Sequence, residues 1–153
     1  MARVSTQKDK SNLQGNFRLN PHSYLGLHPF DEDSNVIRLY RPGADAIYIQ
    51  LRNQPFRANK ISEEGIFECI VPKEISFLDY QIYHQNGLLS FDPYSFEKSF
   101  GDLDAHLFSN GVHYKLYNVL GARLHQMHGC YGVKFALWAP SAKRVSVVGD
   151  FNH

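Results

Sequence analysis

The feature that most constrains the fold is a repeated segment. Residues 36–49 return, after a shift of 98 positions, as residues 134–147. Three aligned pairs are identical: Leu39/Leu137, Pro42/Pro140 and Ala44/Ala142. A Leu-Gly pair precedes each copy, at residues 25–26 and 120–121. Such repeats are typical of tandem modules, so we expect one complete β-module and the opening hairpin of a second.

The sequence between the two copies reads as a set of short strands. Aromatic residues make up 14% of the chain, which favours a half-buried pleated surface. Alternating segments are separated by turn dipeptides, of which Pro42-Gly43 and Asn86-Gly87 are the clearest. About seven such strands predict an immunoglobulin-like β-sandwich.

After this sandwich we predict a short helix at 101–108, with Asp102 as its cap, and a hairpin at 132–151. Trp138 lies on the strand face opposite Phe135, so it should pack outside the second module's core. The predicted organisation is a flexible tail (1–20), an N-terminal β-sandwich (21–100), a helix and connector (101–131) and the truncated start of a second β-sandwich (132–153).

Charge and apolar content exclude two classes of partner. The chain has 16 basic and 15 acidic residues and a net charge of +1, so it lacks the basic stripe that nucleic-acid binding needs. No run approaches the ~18 apolar residues of a membrane span, and the first twenty residues lack the apolar segment of a secretion signal. Cys69 and Cys130 are too few for a disulfide framework, which indicates the cytoplasm.

A search for catalytic or metal-binding patterns assigns none. The densest ligand group is His125, His128 and Cys130, whose spacing matches no structural zinc pattern, so we expect neither metal nor cofactor. Four carboxylates offer pairs for acid–base chemistry, but Asp92 precedes a proline and Asp102 precedes a helix, which favours structural roles. They are Asp79, Asp92, Asp102 and Asp104.

One group of aromatic residues leaves two interpretations open. Their rings fit stacking against sugars, but alternating aromatic residues in a sandwich are more often core. The sequence favours the core and assigns no carbohydrate-binding residue. The group is Tyr48, Tyr80, Tyr83, Phe91 and Tyr94.

Four motifs resemble the N-terminal region of bacterial 1,4-α-glucan (glycogen) branching enzymes. Residues 20–28 are similar to the Asp-Pro-His-x-x-Leu-Gly-x-His signature near their start, and 92–96 to the Asp-Pro-Tyr-x-Phe that ends their first module. Residues 107–122 resemble their connector, and 132–152 their second-module opening, which implies that 132–153 begin a carbohydrate-binding-type β-sandwich. Asn20 replaces the usual aspartate and Arg123 a frequent histidine, which puts any role of that histidine in doubt.

The resemblance implies a parent glycosyltransferase of the α-amylase clan that acts in glycogen biosynthesis. Such an enzyme transfers an α-1,4-glucan segment to a 6-hydroxyl through a retaining mechanism in a (β/α)₈ barrel. None of that barrel is in this chain, so the 153 residues should be inactive alone. The implied partners are α-glucan and the missing barrel, and the implied role is to assist glucan positioning and chain-length choice. The alternatives are a stand-alone glucan-binding or regulatory module and the N-terminus of a debranching or trehalose-forming relative.

Overall fold

A computed structural model describes residues 20–84, 87–98 and 100–150. These residues form two units, a first unit that ends at Glu97 and a second unit that begins at Lys98. The first unit contains short 3₁₀ turns at Pro21–Ser23 and Pro93–Ser95. Its strands are β1 Gly26–Pro29, β2 Ser34–Tyr40, β3 Ile47–Leu51, β4 Gln54–Ser62, β5 Ile66–Pro72, β6 Tyr80–Tyr83 and β7 Leu89–Ser90.

The strands form one curled antiparallel sheet in the order β1-β2-β5-β4-β3-β6-β7. Strand β4 makes the corner, because its first half pairs with β3 and its second half with β5. The register shifts between Lys60 and Ser62, an irregularity of the kind that bends a strand. The curl brings the two halves of the sheet face to face, which confirms the predicted β-sandwich.

The core lies between these two halves. Ile37 and Leu39 of β2 are buried in one cluster with Ile47 and Ile49 of β3, as the alternation of the sequence predicts. Burying one such side chain contributes about 1.5–3 kcal/mol. This cluster also contains Tyr80, Ile82, Phe67, Cys69 and Val71.

Strands β2 and β5 are also covered on their outer face. There the Nε of Arg38 donates to Glu68 Oε2 at 3.1 Å, and the Arg38 guanidinium lies 4.6 Å from the centre of the Tyr24 ring. Leu25 and Ile66 form a second buried cluster, against which Tyr24, Tyr40, Ile61 and Tyr94 pack. The segment before β1 therefore shields one half of the sheet from solvent.

The second unit contains a helix and a hairpin. Helix α1 (Asp102–Ser109) confirms the predicted helix, a 3₁₀ turn follows at Leu116–Asn118, and β8 (Gly121–Met127) pairs with β9 (Cys130–Ala136). Asp102 is not the cap, since the carboxylate that accepts the Gly101 amide is that of Asp104, at 3.1 Å.

Trp138 lies where the sequence predicted, outside a core. Its ring centre is 4.9 Å from that of Phe108 on α1, and 61% of its surface is exposed. Within residues 100–150 no side chain is fully buried.

The repeat is visible in the strand register. Gly26 lies opposite Arg38, and Gly121 lies opposite Ala136, which is 98 positions after Arg38. Both glycines have positive φ, +92° and +95°.

The turn before each of these glycines is repeated as well. The Leu25 amide donates to the Pro21 carbonyl at 2.7 Å, and the Leu120 amide donates to the Leu116 carbonyl at 3.0 Å. The duplicated unit therefore comprises a 3₁₀ turn, a Leu-Gly pair and two strands.

The hairpin predicted within the second copy is wrong, and the first copy shows why. In the first unit β2 pairs with β1 and β5, whereas β3 pairs with β4 and β6. In the second copy, β9 pairs with β8, the strand before it, just as β2 pairs with β1. Residues 137–150, which follow β9, contain no strand. In the first unit the strands on either side of Pro42 belong to opposite halves of the sandwich, so they meet through side chains. The predicted hairpin at 132–151 is therefore replaced by one at 121–136.

Candidate functional site

The Asp-Pro-Tyr motif closes the first unit through a buried carboxylate. Asp92 Oδ2 accepts a 2.8 Å hydrogen bond from the Tyr80 hydroxyl, and Oδ1 accepts the Tyr94 amide at 3.1 Å. The Ser95 hydroxyl donates to the Tyr80 oxygen at 2.8 Å. Asp92 and Tyr80 are each 1% exposed. This network ties β6 to the closing 3₁₀ turn.

Burial dominates the electrostatics of this network. It raises the pKa of Asp92 above its usual range, because the charged carboxylate loses water. The hydrogen bonds from Tyr94 and Tyr80 oppose that effect, as do the charges of Arg41 and His22. Burial, followed by the nearby Asp92 charge, also raises the pKa of Tyr80.

The other carboxylates considered from the sequence also serve local structure. Asp79 accepts the Ser76 amide at 2.7 Å, and hydrogen bonds from Ser76 lower its pKa. In the second unit, Asp104 interacts with His113 Nε2 at 2.8 Å, and this contact is the main cause of its lowered pKa. Asp102 is the first residue of α1.

The candidate metal ligands lie on the β8–β9 hairpin. His125 is opposite Gly132, Cys130 is opposite Met127, and His128 lies in the turn between the strands with φ of 51°. Within the described part of the chain, no three His, Cys, Asp or Glu side chains lie close enough together to hold a metal ion.

The structure divides the aromatic group between core and surface. Tyr80 is in the core, and Tyr94 is partly buried beside Leu25. Tyr48 on β3 and Tyr83 on β6 point away from the core, 44% and 45% exposed, and lie directly opposite each other. Phe91 is partly buried and contacts Phe96 edge to face.

The exposed tyrosines belong to a longer row across the outer face. Arg57 of β4 is opposite Tyr48, and Leu89 of β7 is opposite Tyr83. Two residues along the strands, Gln50 and Gln81 form a second directly opposed pair. The sequence analysis missed Arg57 and both glutamines, because only the register shows that they share a face with the tyrosines. We call these six residues the outer tyrosine face.

The fold and its repeated opening define a β-sandwich followed by a copy of its opening turn and strand pair. Residues 6–94 match the model of the alpha-1,4-glucan branching enzyme GlgB, N-terminal domain, and residues 119–153 match carbohydrate-binding module 48, the isoamylase N-terminal domain. The chain belongs to the alpha-1,4-glucan branching enzyme GlgB N-terminal domain family.

Three relatives support this assignment, and all bear the name 1,4-alpha-glucan branching enzyme GlgB. The Protochlamydia amoebophila protein is 55% identical over 87% of this chain and 18% of its own length. The Chlamydia abortus protein is 43% identical over 98% of this chain and 21% of its own length. The Chlamydia pneumoniae protein is 46% identical over 86% of this chain and 18% of its own length. This chain therefore spans about a fifth of these relatives.

The match also bears on the second unit. The module-48 match begins at residue 119, so it includes strand β8, which lies in the segment that the sequence analysis treated as connector. Within residues 20–84, 87–98 and 100–150, no helix has the length and apolar character needed to cross a bilayer.

Proposed function

We propose that this chain is the non-catalytic N-terminal region of a longer 1,4-α-glucan branching enzyme, in which it positions the glucan and influences the length of the transferred segment. The observation that carries the proposal is the order of the two matches, a branching-enzyme N-terminal domain followed by a carbohydrate-binding module. The rest of the enzyme would supply the retaining transfer of the glucan segment. Its two catalytic carboxylates would lie at strand ends of a barrel.

The environment of the carboxylates supports a non-catalytic role. A retaining glycosidase-type site needs two carboxyl groups about 5–5.5 Å apart, facing a sugar. Asp92 is buried under Tyr80, and Asp79 accepts the Ser76 amide. Asp104 is occupied by His113 and the Gly101 amide. These hydrogen bonds hold turns and strand ends in place.

A cytoplasmic location is part of the proposal. Both cysteines are free thiols, and burial raises the pKa of Cys69, which keeps the thiol protonated and unreactive. Unpaired cysteines are typical of a reducing compartment.

Two experiments test the proposal. Native electrophoresis in gels with and without glycogen measures whether the chain binds glucan, and we expect glycogen to retard it relative to serum albumin. Migration equal to that of albumin in both gels would contradict glucan binding.

The second experiment tests chain-length choice in a complete enzyme. This chain replaces the matching N-terminal residues of the Protochlamydia amoebophila relative, and the product is debranched and its chain lengths are measured. Removal of residues 1–97 should leave branching activity but shift the distribution of transferred lengths. An identical distribution would contradict the role in chain-length choice.

A further inference from the structure

We propose that the outer tyrosine face binds α-glucan, with Tyr48 and Tyr83 as the stacking residues. This inference rests on the proposed function and assigns its glucan contact to one surface of the first unit. Three observations carry it: the uneven covering of the sheet, the register of the two rings, and the chemistry of the flanking side chains.

The two halves of the sheet differ in how their outer faces are covered. Residues 35–39 of β2 are all buried, because the turn before β1 packs over that half. Strand β3 instead alternates, with Ile47, Ile49 and Leu51 buried and Tyr48 exposed between them. Among the described residues of the first unit, one outer face is therefore covered by the segment before β1, whereas on the other Tyr48 and Tyr83 remain nearly half exposed.

The open face presents its two largest aromatic side chains side by side. Tyr48 and Tyr83 are directly opposed on neighbouring strands, which places their Cβ atoms about 4.5–5.5 Å apart. Both strands are held in the sheet interior, with β4 and β7 as their outer neighbours. The two tyrosines therefore project from adjacent positions on paired strands, so the backbone that carries them loses little entropy when a ligand stacks on the rings.

The flanking groups suit a neutral polyhydroxyl ligand. Gln50 and Gln81 each offer an amide that donates and accepts hydrogen bonds, and Arg57 adds five donors at the edge of the row. The outer tyrosine face contains no carboxylate, so it has no charge that would need a cationic partner. Apolar rings flanked by a few polar groups are the usual composition of a small-molecule site.

This composition favours glucan over a protein partner. A stable protein interface buries about 800 Å² on each side around a continuous apolar centre. The apolar part of this row is two tyrosine rings and Leu89, and the amide pair lies next to it. Such a face is smaller and more polar than the centre of a stable protein interface, but it is large enough to contact a few sugar units.

The test is a ¹⁵N NMR titration of the 153-residue chain with maltoheptaose. We expect saturable shifts at the amides of β3 and β6, and at least tenfold weaker binding by the double variant Tyr48→Ala/Tyr83→Ala. The matched control is Tyr114→Ala, which removes an 87% exposed tyrosine of the second unit and should bind like the parent chain. Tyr83→Phe keeps the aromatic ring and removes only the hydroxyl, so it should retain binding. Its comparison with the alanine variant separates stacking by the ring from hydrogen bonding by the hydroxyl.

The following binding results would overturn the inference. Shifts confined to the second unit, or equal affinity of the double variant, would place glucan elsewhere and leave the proposed function standing. Absence of saturable shifts would also contradict this surface, and the chain-length measurement on the complete enzyme would then decide the proposed function separately. A double variant whose spectrum loses dispersion is replaced by Tyr48→Ser/Tyr83→Ser, with the same expected loss.

Discussion

The Tyr80 hydroxyl donates a 2.8 Å hydrogen bond to the buried carboxylate of Asp92. Because Tyr80 lies at the start of β6 and Asp92 precedes the last 3₁₀ turn of the first unit, this bond fastens the end of that unit to its core. The motif at 92–94 thus has a physical role in the fold: its aspartate is an internal hydrogen-bond acceptor.

Removing the hydroxyl should destabilise the first unit. Tyr80→Phe leaves Asp92 Oδ2 without this donor in a buried site, which costs about 1–3 kcal/mol of the free energy of unfolding. Urea unfolding followed by far-UV circular dichroism measures the loss. The control Tyr114→Phe alters an exposed ring and should change stability by less than about 0.5 kcal/mol. Equal effects of the two substitutions would contradict the role of the hydrogen bond.

The same carboxylate should give stability a characteristic pH dependence. Because burial raises the pKa of Asp92 in the folded state, the folded chain retains a proton that the unfolded chain releases above its own pKa, about 4. The contribution of Asp92 to the free energy of unfolding is therefore fully present below that value and declines as pH rises through the folded pKa.

The measurement compares the wild-type chain with Asp92→Asn in urea between pH 3.5 and 7. The stability of the wild type minus that of the variant should fall as the pH rises. A difference that grows with pH would show that the folded pKa is lowered instead.

The two repeated glycines provide a matched pair of substitutions. A Cβ on Gly26 would lie 2.9 Å from the Tyr94 carbonyl oxygen, whereas a Cβ on Gly121 would have no described atom within 4 Å. Both alanine variants bear the left-handed backbone cost of about 1–2 kcal/mol. Only Gly26→Ala adds overpacking, about 1–3 kcal/mol more.

NMR-detected urea unfolding separates the two units by following amides of β2 and of β9. The first unit should lose more stability in Gly26→Ala than the second does in Gly121→Ala. Equal losses would mean that the Tyr94 backbone moves aside without cost.

Amide exchange should differ between the two copies of the repeat. Strand β2 is buried between a core and a covering layer, but β9 carries Val133 and Phe135 with about half of each side chain exposed. We expect the amides of Cys130–Ala136 to exchange much faster than those of Ser34–Tyr40, because few buried contacts oppose local opening. Equal protection of both strands, independent of protein concentration, would contradict this expectation.

The sequence predicted the sandwich because its strands alternate with a period of two, but it did not predict which strands pair. Alternation places Ile37 and Ile47 in a common core whether β2 and β3 are neighbours in one sheet or face each other across a sandwich. The sequence signal that distinguishes these two pairings is the glycine before each copy. Gly26 begins the strand that pairs with β2, and Gly121 begins the strand that pairs with β9.

The β3–β4 hairpin was missed for a different reason. Its two-residue turn is Arg52-Asn53, and both residues have positive φ, 42° and 74°. Turns of this type favour Asn-Gly, and arginine is uncommon there. The turn predicted at Asn86-Gly87 is supported by the pairing of β6 with β7, although Asn86 lies outside the described residues.

Only part of the outer tyrosine face could be predicted from the sequence. Tyr80 and Tyr83 are three residues apart on one strand, so alternation places them on opposite faces and separates core from surface. That Tyr83 meets Tyr48 depends on the β3–β6 register, which joins strands about thirty residues apart and has no local signal.

The most direct test of the account is the chain-length distribution made by the Protochlamydia amoebophila relative carrying this chain, with and without Tyr48→Ala/Tyr83→Ala. We predict that the double variant shifts the transferred lengths in the same direction as removal of residues 1–97, while Tyr114→Ala leaves them unchanged. A double variant that transfers the parental lengths, in an enzyme whose lengths do change when residues 1–97 are removed, would contradict the outer tyrosine face as the glucan contact.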